Sequence, residues 1–377
     1  MSNNELVKNI GQLINEISDN DFSKVNAVIG VDGFVDEIIH VVDKRENAEK
    51  YSRLKKIDEL GTKILKAAGL SANIELVPKQ IKLGGNGPIL ANALVEYGNR
   101  VTYIGALGDG DVHSVFKDMV YRCENIISIA NPGHTDAIEF EDGKLMLGKL
   151  ESLKDINWDN IKNKIKLDKL ASLLDETDLL GLENWTMVPY MNTIWEGMIN
   201  EVFPLMNRED RGGIAFFDLA DPEKRTDEDI IEALNLLAKF EEKFKVILGL
   251  NLKEAIEISE VLGLEINKID GAYELKDLTR KVAKELNIYC LVVHPVDKAS
   301  AFCNGEYYET PGPYTAKPML TTGAGDNFNA GFCLAQSLGL PVQISLVMGT
   351  ATSGYYVRNA KSPNKEALLE FLNDWKV

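Results

Sequence analysis

The chain has 377 residues, 45% apolar and 26% charged, a composition that can bury a globular core and is not that of a disordered segment. Asp and Glu outnumber Lys and Arg by 58 to 41, for a net charge of −17; such a body repels nucleic-acid backbones and anionic membranes unless a basic patch offsets it, and the sequence carries no such patch. Cys123, Cys290, Cys303 and Cys333 form no CxxC pair and read as buried, unpaired thiols, which together with a start unlike a signal peptide and no apolar run of membrane-spanning length predicts a cytoplasmic protein.

The first 17 residues, MSNNELVKNIGQLINEI, alternate polar and apolar groups at helical spacing. From Val25 a second rhythm begins. Short β-branched runs (VNAVIGV, VTYIGAL, GIAFFDL, KVILGL, IYCLVVH) alternate with amphipathic stretches such as 227–244 and 274–287. That alternation predicts an α/β fold, a mostly parallel sheet sandwiched by helices. Three segments break it: 34–42 runs straight on from the first strand, 74–83 is extended, and 137–149 reads as a hairpin about Glu141-Asp142-Gly143. They predict a small β lid over one edge of the sheet. With no repeats and no Pro-rich or Ser-rich linker, residues 1–377 read as one domain carrying that lid.

The most specific motif is Thr321-Thr322-Gly323-Ala324-Gly325-Asp326, followed by the helical pattern NFNAGFCLAQSLGL. A glycine-rich loop entering a helix lets backbone N–H groups approach an anion, and the helix dipole adds positive potential there. Asp326, in the first turn, is placed to take a hydroxyl proton while the loop stabilises a transferring phosphoryl group. A helix-capping aspartate after a glycine turn is the plain alternative. Asp32 and Asp36 follow the first strand, where ligands of open α/β sheets collect, and a carboxylate suits sugar hydroxyls; a solvated turn aspartate is the alternative for either. Asn251 and Glu254 follow KVILGL as a capping-box pattern. Asp218, Asp221 and Arg225 read as a surface charge cluster. The P-loop, the dinucleotide fingerprint, the GxSxG elbow and zinc spacings are all absent from the sequence.

The TTGAGD stretch resembles the C-terminal signature of the ribokinase (PfkB) carbohydrate kinases. Gly84-Gly85-Asn86-Gly87-Pro88, before ILANALVEYG, is similar to that family's glycine pair, so the resemblance spans roughly Val25 to Pro363. It implies a ribokinase-like fold and transfer of the γ-phosphoryl group of ATP, with Mg²⁺, to a primary hydroxyl of a small sugar. A nucleoside acceptor, or a catalytically silent binding protein of the same fold, is the alternative. By the same resemblance Asp326 is the catalytic base, and Gly323, Ala324 and Gly325 form the anion hole. Asp36 or its rival Asp32, with Gly84, Gly85 and Asn86, binds the acceptor; Asn251 and Glu254 order magnesium and its waters; His294 and Val296, with Gly323 and Gly325, line the nucleotide. A homodimer through the lid is a further implication. Three positions depart from the family pattern: Ile89 replaces an acceptor-binding asparagine, Leu320 replaces the aspartate that begins the signature, and His294, Val296 and Ala299 replace glycines or small residues beside the nucleotide.

Overall fold

In chain order the strands are β1 (Asn26–Val31), β2 (Phe34–Arg45), β3 (Tyr51–Arg53), β4 (Leu76–Gly84), β5 (Arg100–Gly105), β6 (Asn125–Ser128), β7 (Gly133–Glu139), β8 (Lys144–Lys149), β9 (Leu179–Leu182), β10 (Gly213–Asp218), β11 (Phe244–Leu250), β12 (Lys268–Ile269), β13 (Ala272–Tyr273), β14 (Cys290–Val293), β15 (Lys298–Cys303) and β16 (Glu306–Pro311). This is a computed structural model, and it describes residues 1–208 and 212–376. Nine strands form the main sheet in the order β16-β15-β14-β11-β10-β9-β1-β5-β6. All neighbours are parallel except the β14–β15 and β15–β16 pairs. The mostly parallel α/β expectation holds.

β1 explains why the sheet sits centrally. All six of its residues are buried, as expected of a strand covered on both faces by helices. Val28 enters one apolar core, and Ala27 and Ile29 the other, because successive side chains of a strand point to opposite faces.

The chain leaves this sheet at Asp32-Gly33, and β2 joins a different one. There β2 pairs antiparallel with β3 and β4 and parallel with β7, and β7 pairs antiparallel with β8. The segments expected at 34–42, 74–83 and 137–149 are therefore strands of a second, five-stranded sheet, in which β3 was not anticipated. Its own small core includes Ile39, Val41, Leu54 and Ile138.

The cysteine expectation needs correction. Cys290 and Cys303 face each other in register on β14 and β15 and form a disulfide, whereas Cys123 and Cys333 are free. Among the described residues, no helix is long and apolar enough to cross a membrane.

Candidate active site

Parallel pairing brings the carboxyl ends of five strands to one rim. Gly30 stands opposite Leu182, Leu182 opposite Phe217, Asp218 opposite Gly249, and Leu250 opposite Val293. The residues that end or follow these strands, Asp32, Glu183-Asn184, Asp218, Asn251 and His294, therefore line up along a single edge, the usual place for a ligand in an open α/β sheet. The second sheet faces this edge. Between them lies a cleft of about 530 Å³, lined by Asp36, Asn86, Asn184, Asp218, Glu254 and Asp326 among others, within the size range of small-molecule sites.

Asp326 is the third residue of the helix Ala324–Ser337, whose N-cap is Gly323. Gly323 has φ +90°, a left-handed conformation that glycine adopts without a Cβ penalty. That turn leaves the first amides of the helix without intrahelical acceptors. Gly323 and Gly325 line the large cleft, while Ala324 and Gly325 line a neighbouring cavity. The proposed base and anion hole are thus together. Asp326 accepts a 3.0 Å hydrogen bond from Asn86 Nδ2, and burial, then the nearby Asp32 charge, pushes its carboxyl up to about 8.

Of the two rival aspartates, Asp36 reaches the cleft and Asp32 does not. Asp32 is fully buried; its carboxylate accepts from the Asn86 and Gly87 amides at 3.0 Å each and from Asn184 Nδ2 at 2.6 Å. It anchors the N-terminus of the helix Asn86–Glu96, where unpaired amides and the dipole favour an anion. Burial nonetheless raises it to about 6. Asp36, on β2, lines the cleft, and burial raises its carboxyl against the lowering influence of Lys82 and Thr135.

The glycine pair has a specific cause in these two carboxylates. A Cβ on Gly84 would collide with the Asp36 carboxyl, and one on Gly85, whose φ is +94°, would come within 2.7 Å of Asp32 Oδ2. Asn86 joins the arrangement by donating to Asp326. Ile89 lines the cleft at its own position, and Asn92 faces away, accepting from Arg122 at 2.8 Å.

Glu254 does what a capping box requires and more. Its Oε2 accepts from the Asn251 amide at 2.9 Å, Asn251 Oδ1 accepts from the Glu254 amide at 3.0 Å, and Glu254 Oε1 accepts from the Asp221 amide at 3.0 Å. Both residues also line the cleft. Burial raises Glu254 as well.

The expected surface cluster at Asp218, Asp221 and Arg225 is corrected by two of its members. Asp218 is buried at the end of β10, accepts from Asn329 Nδ2 at 3.1 Å and from the Ala220 amide at 2.9 Å, and is held well above the usual carboxylate range by burial. The Arg225 guanidinium stacks on Trp185 at 4.5 Å and donates to the Trp185 and Val188 carbonyls. Asp221 is paired with Lys224 at 3.1 Å, and Arg225 with Asp229 at 3.7 Å.

Sequence reasoning missed Glu183 and Asn184 entirely. Both follow the four-residue β9, a leucine run too short to be told from a helix by periodicity. Asn184 has φ +61° and lines the cleft. Glu183 is fully buried, and burial pushes its carboxyl well above the usual carboxylate range.

A second cavity, of about 300 Å³, abuts the first across His294, Asn251 and Gly325 and is lined by Val296, Tyr314, Phe328 and Thr350. The His294 ring lies 5.0 Å from that of Phe328, and burial holds it at about 4, so the imidazole is neutral. Val296 is 91% exposed, at the rim, so its bulk leaves the cavity open. The larger residues at these positions do not close it.

Solved structures share this architecture. Arabidopsis thaliana ribokinase complexed with ribose and ATP superposes with a TM-score of 0.62 over 92% of this chain and 98% of that one, at 17% identity. Fructokinase with bound ATP from Xylella fastidiosa gives 0.62 over 93% and 99%, at 13% identity. Adenosine kinase from Sinorhizobium meliloti gives 0.63 over 93% and 98%, at 14%, so the fold likeness by itself does not separate sugar from nucleoside acceptors. The fold is that of ribokinase. Sequence resolves it further: residues 5–375 match the model of the prokaryotic ketohexokinase family, and the chain belongs to that family. A ketohexokinase of Haloferax volcanii is 28% identical over 354 residues, 92% of this chain and 91% of that protein. The protein is accordingly an ATP-dependent sugar kinase, a phosphotransferase with an alcohol acceptor.

Proposed function

We propose that the protein transfers the γ-phosphoryl group of ATP to a primary hydroxyl of a ketohexose, with Asp326 as the base. The observation that carries this reading is the juxtaposition of Asp326 with the Gly323–Gly325 turn at the floor of a cleft walled by Asp36, Asn86 and Asn184. The acceptor lies between Asp36 and Asp326, its hydroxyls bonded by carboxylate and amide groups that fix orientation. Asp326 takes the proton of the attacking hydroxyl as the phosphorus–oxygen bond forms and the bond to the leaving ADP oxygen breaks. The amides of residues 323–325 stabilise charge on the transferring oxygens. Nucleotide occupies the adjoining cavity, with its base near His294 and Val296 and its phosphates toward Gly323 and Gly325.

The donor set fits a hydrated Mg²⁺. Asp218, Asp221 and Glu254 put several carboxyl groups into the cleft beside the phosphate loop, and anionic phosphates entering such a site need a cation. Among the described residues no three potential ligands form a ready cage. That suits an ion that keeps its waters and is carried chiefly by substrate phosphates, with Asn251 and Glu254 bonding its waters. Bound there, the ion would neutralise charge on the phosphates. Ketohexose as acceptor is supported by the family and by the Haloferax relative; the ketohexose class supplies a primary hydroxyl, the least hindered nucleophile for such a cleft.

The test is ADP release on a panel of ketohexoses, aldoses and nucleosides with Mg-ATP. A ketohexose is the expected preferred acceptor. A nucleoside as the best acceptor, or heat stabilisation by sugars with no ADP from any of them, contradicts the reading.

A further inference from the structure

The second sheet touches the phosphate loop through one charged side chain. Lys144, the first residue of β8, donates from Nζ to Thr322 Oγ1 at 3.2 Å. Its position follows from strand alternation: Met146, Gly148 and Leu150 line the cleft, and Lys144, two residues before Met146, shares their face. Glu139 stands opposite in register, but its carboxylate is farther from the ammonium, at 3.6 Å. The Lys144 side chain is 26% exposed, so the contact is partly shielded from solvent, and a hydrogen bond from an ionised donor is among the stronger kinds.

Thr322 precedes Gly323, the N-cap of the Asp326 helix. Its carbonyl accepts from Tyr356 Oη at 2.9 Å. It is thus held at two points. The Tyr356 bond comes from within the main body, from the helix Val342–Asn359, and does not depend on where the second sheet stands. The Lys144 bond exists only while β8 lies over the cleft. The same atom that registers the position of the second sheet therefore fixes the residue that aims the Gly323–Gly325 amides.

Given the phosphoryl-transfer reading of the cleft, on which this rests, we propose that Lys144 is a positioning residue: by docking on the Thr322 hydroxyl from β8 it sets the anion-hole turn before the substrates bind. Lys144 acts through Thr322 and contributes no group to the reacting atoms. Its effect belongs to turnover, because geometry at the transferring phosphoryl is at stake, and not to acceptor affinity, which Asp36, Asn86 and Asn184 supply. Preorganised donors lose much of their value when displaced by a fraction of an ångström.

The experiment combines amide exchange on the ligand-free protein with steady-state kinetics for wild type, Lys144→Met, Lys144→Arg, Thr322→Val and the Met/Val double variant. In ligand-free Lys144→Met, exchange across residues 321–325 should quicken several-fold while the melting temperature holds. With Mg-ATP and sugar, each single variant should lose roughly tenfold in kcat with sugar KM changed less than about twofold. The double variant should be no worse than the poorer single one, since both remove one bond, and Lys144→Arg should recover most of the loss. Unchanged exchange in Lys144→Met overturns the proposal, as do kcat losses that multiply in the double variant. If wild type phosphorylates no sugar, the acceptor reading fails on its own, and the exchange data still decide whether Lys144 holds the loop.

Discussion

At the scale of single residues, buried acids dominate the cleft and the layer of side chains behind it. Asp32, Glu183, Asp218, Glu254 and Asp326 are each raised by burial before any other cause. For Asp326, raised from 3.8 to about 8, the folded chain holds a proton that the unfolded chain has released. Its contribution to stability is therefore complete below pH about 4 and is lost as pH rises toward about 8. Asparagine is nearly isosteric, can accept the same bond from Asn86 Nδ2, and does not titrate. Asp326→Asn should melt close to wild type at pH 5 and above it at pH 8. Its turnover should fall by about 10²–10⁴-fold, the usual loss on removing a general base. In wild type, kcat/KM should climb with pH through about 8, because it reports the free enzyme. Parallel thermal melts and pH–rate profiles check both; an Asp326→Asn variant with most of its turnover removes the residue from the mechanism.

At the scale of elements, Glu254 shows how one side chain serves two structures. As a capping-box residue alone it would tolerate glutamine, which can reach the N-cap amide equally well. Here each carboxylate oxygen accepts from a different backbone N–H, those of Asn251 and Asp221. Glutamine offers one acceptor and sets an NH₂ against the other amide, leaving a buried donor unmet at a cost of about 1–3 kcal/mol. Glu254→Gln should therefore lower the melting temperature and, separately, raise the Mg²⁺ concentration for half-maximal rate by about tenfold or more. Magnesium titrations that superimpose after normalisation would confine Glu254 to its backbone role. The same elements show what the sequence could disclose. β1, β5, β10 and β11 were readable because apolar β-branched runs of six or seven residues are bounded by turns, and the Asp326 loop because its glycines and carboxylate are contiguous. β9 was not, being four residues without periodicity, and with it went Asn184. Asp218 was misread because charge spacing along a chain carries no information about burial; it is the strand ending, in register beside β11, that puts the carboxylate inside.

At the scale of the whole molecule, function depends on two sheets with different tasks. The main sheet delivers strand ends to one rim; the second supplies Asp36, Thr135 and Met146 to the opposite wall of the cleft. On the proposed reading, that wall closes over the bound substrates and excludes water from the transferring phosphoryl. Amide exchange in β4, β7 and β8 should slow when sugar and nucleotide bind together, and equal exchange with and without them would argue for a fixed wall. On the proposed mechanism Asp326 drives phosphoryl transfer to the hydroxyl oxygen on a primary carbon of a ketohexose. Phosphorus and carbon NMR of the product made from ketohexose and Mg-ATP tests it most directly, run side by side on wild type and Asp326→Asn. The expected result is one phosphate ester per ADP, on the oxygen of a primary carbon, formed by wild type and almost none by the variant. An ester on a secondary carbon, ADP without an ester, or equal ester from both proteins would contradict it.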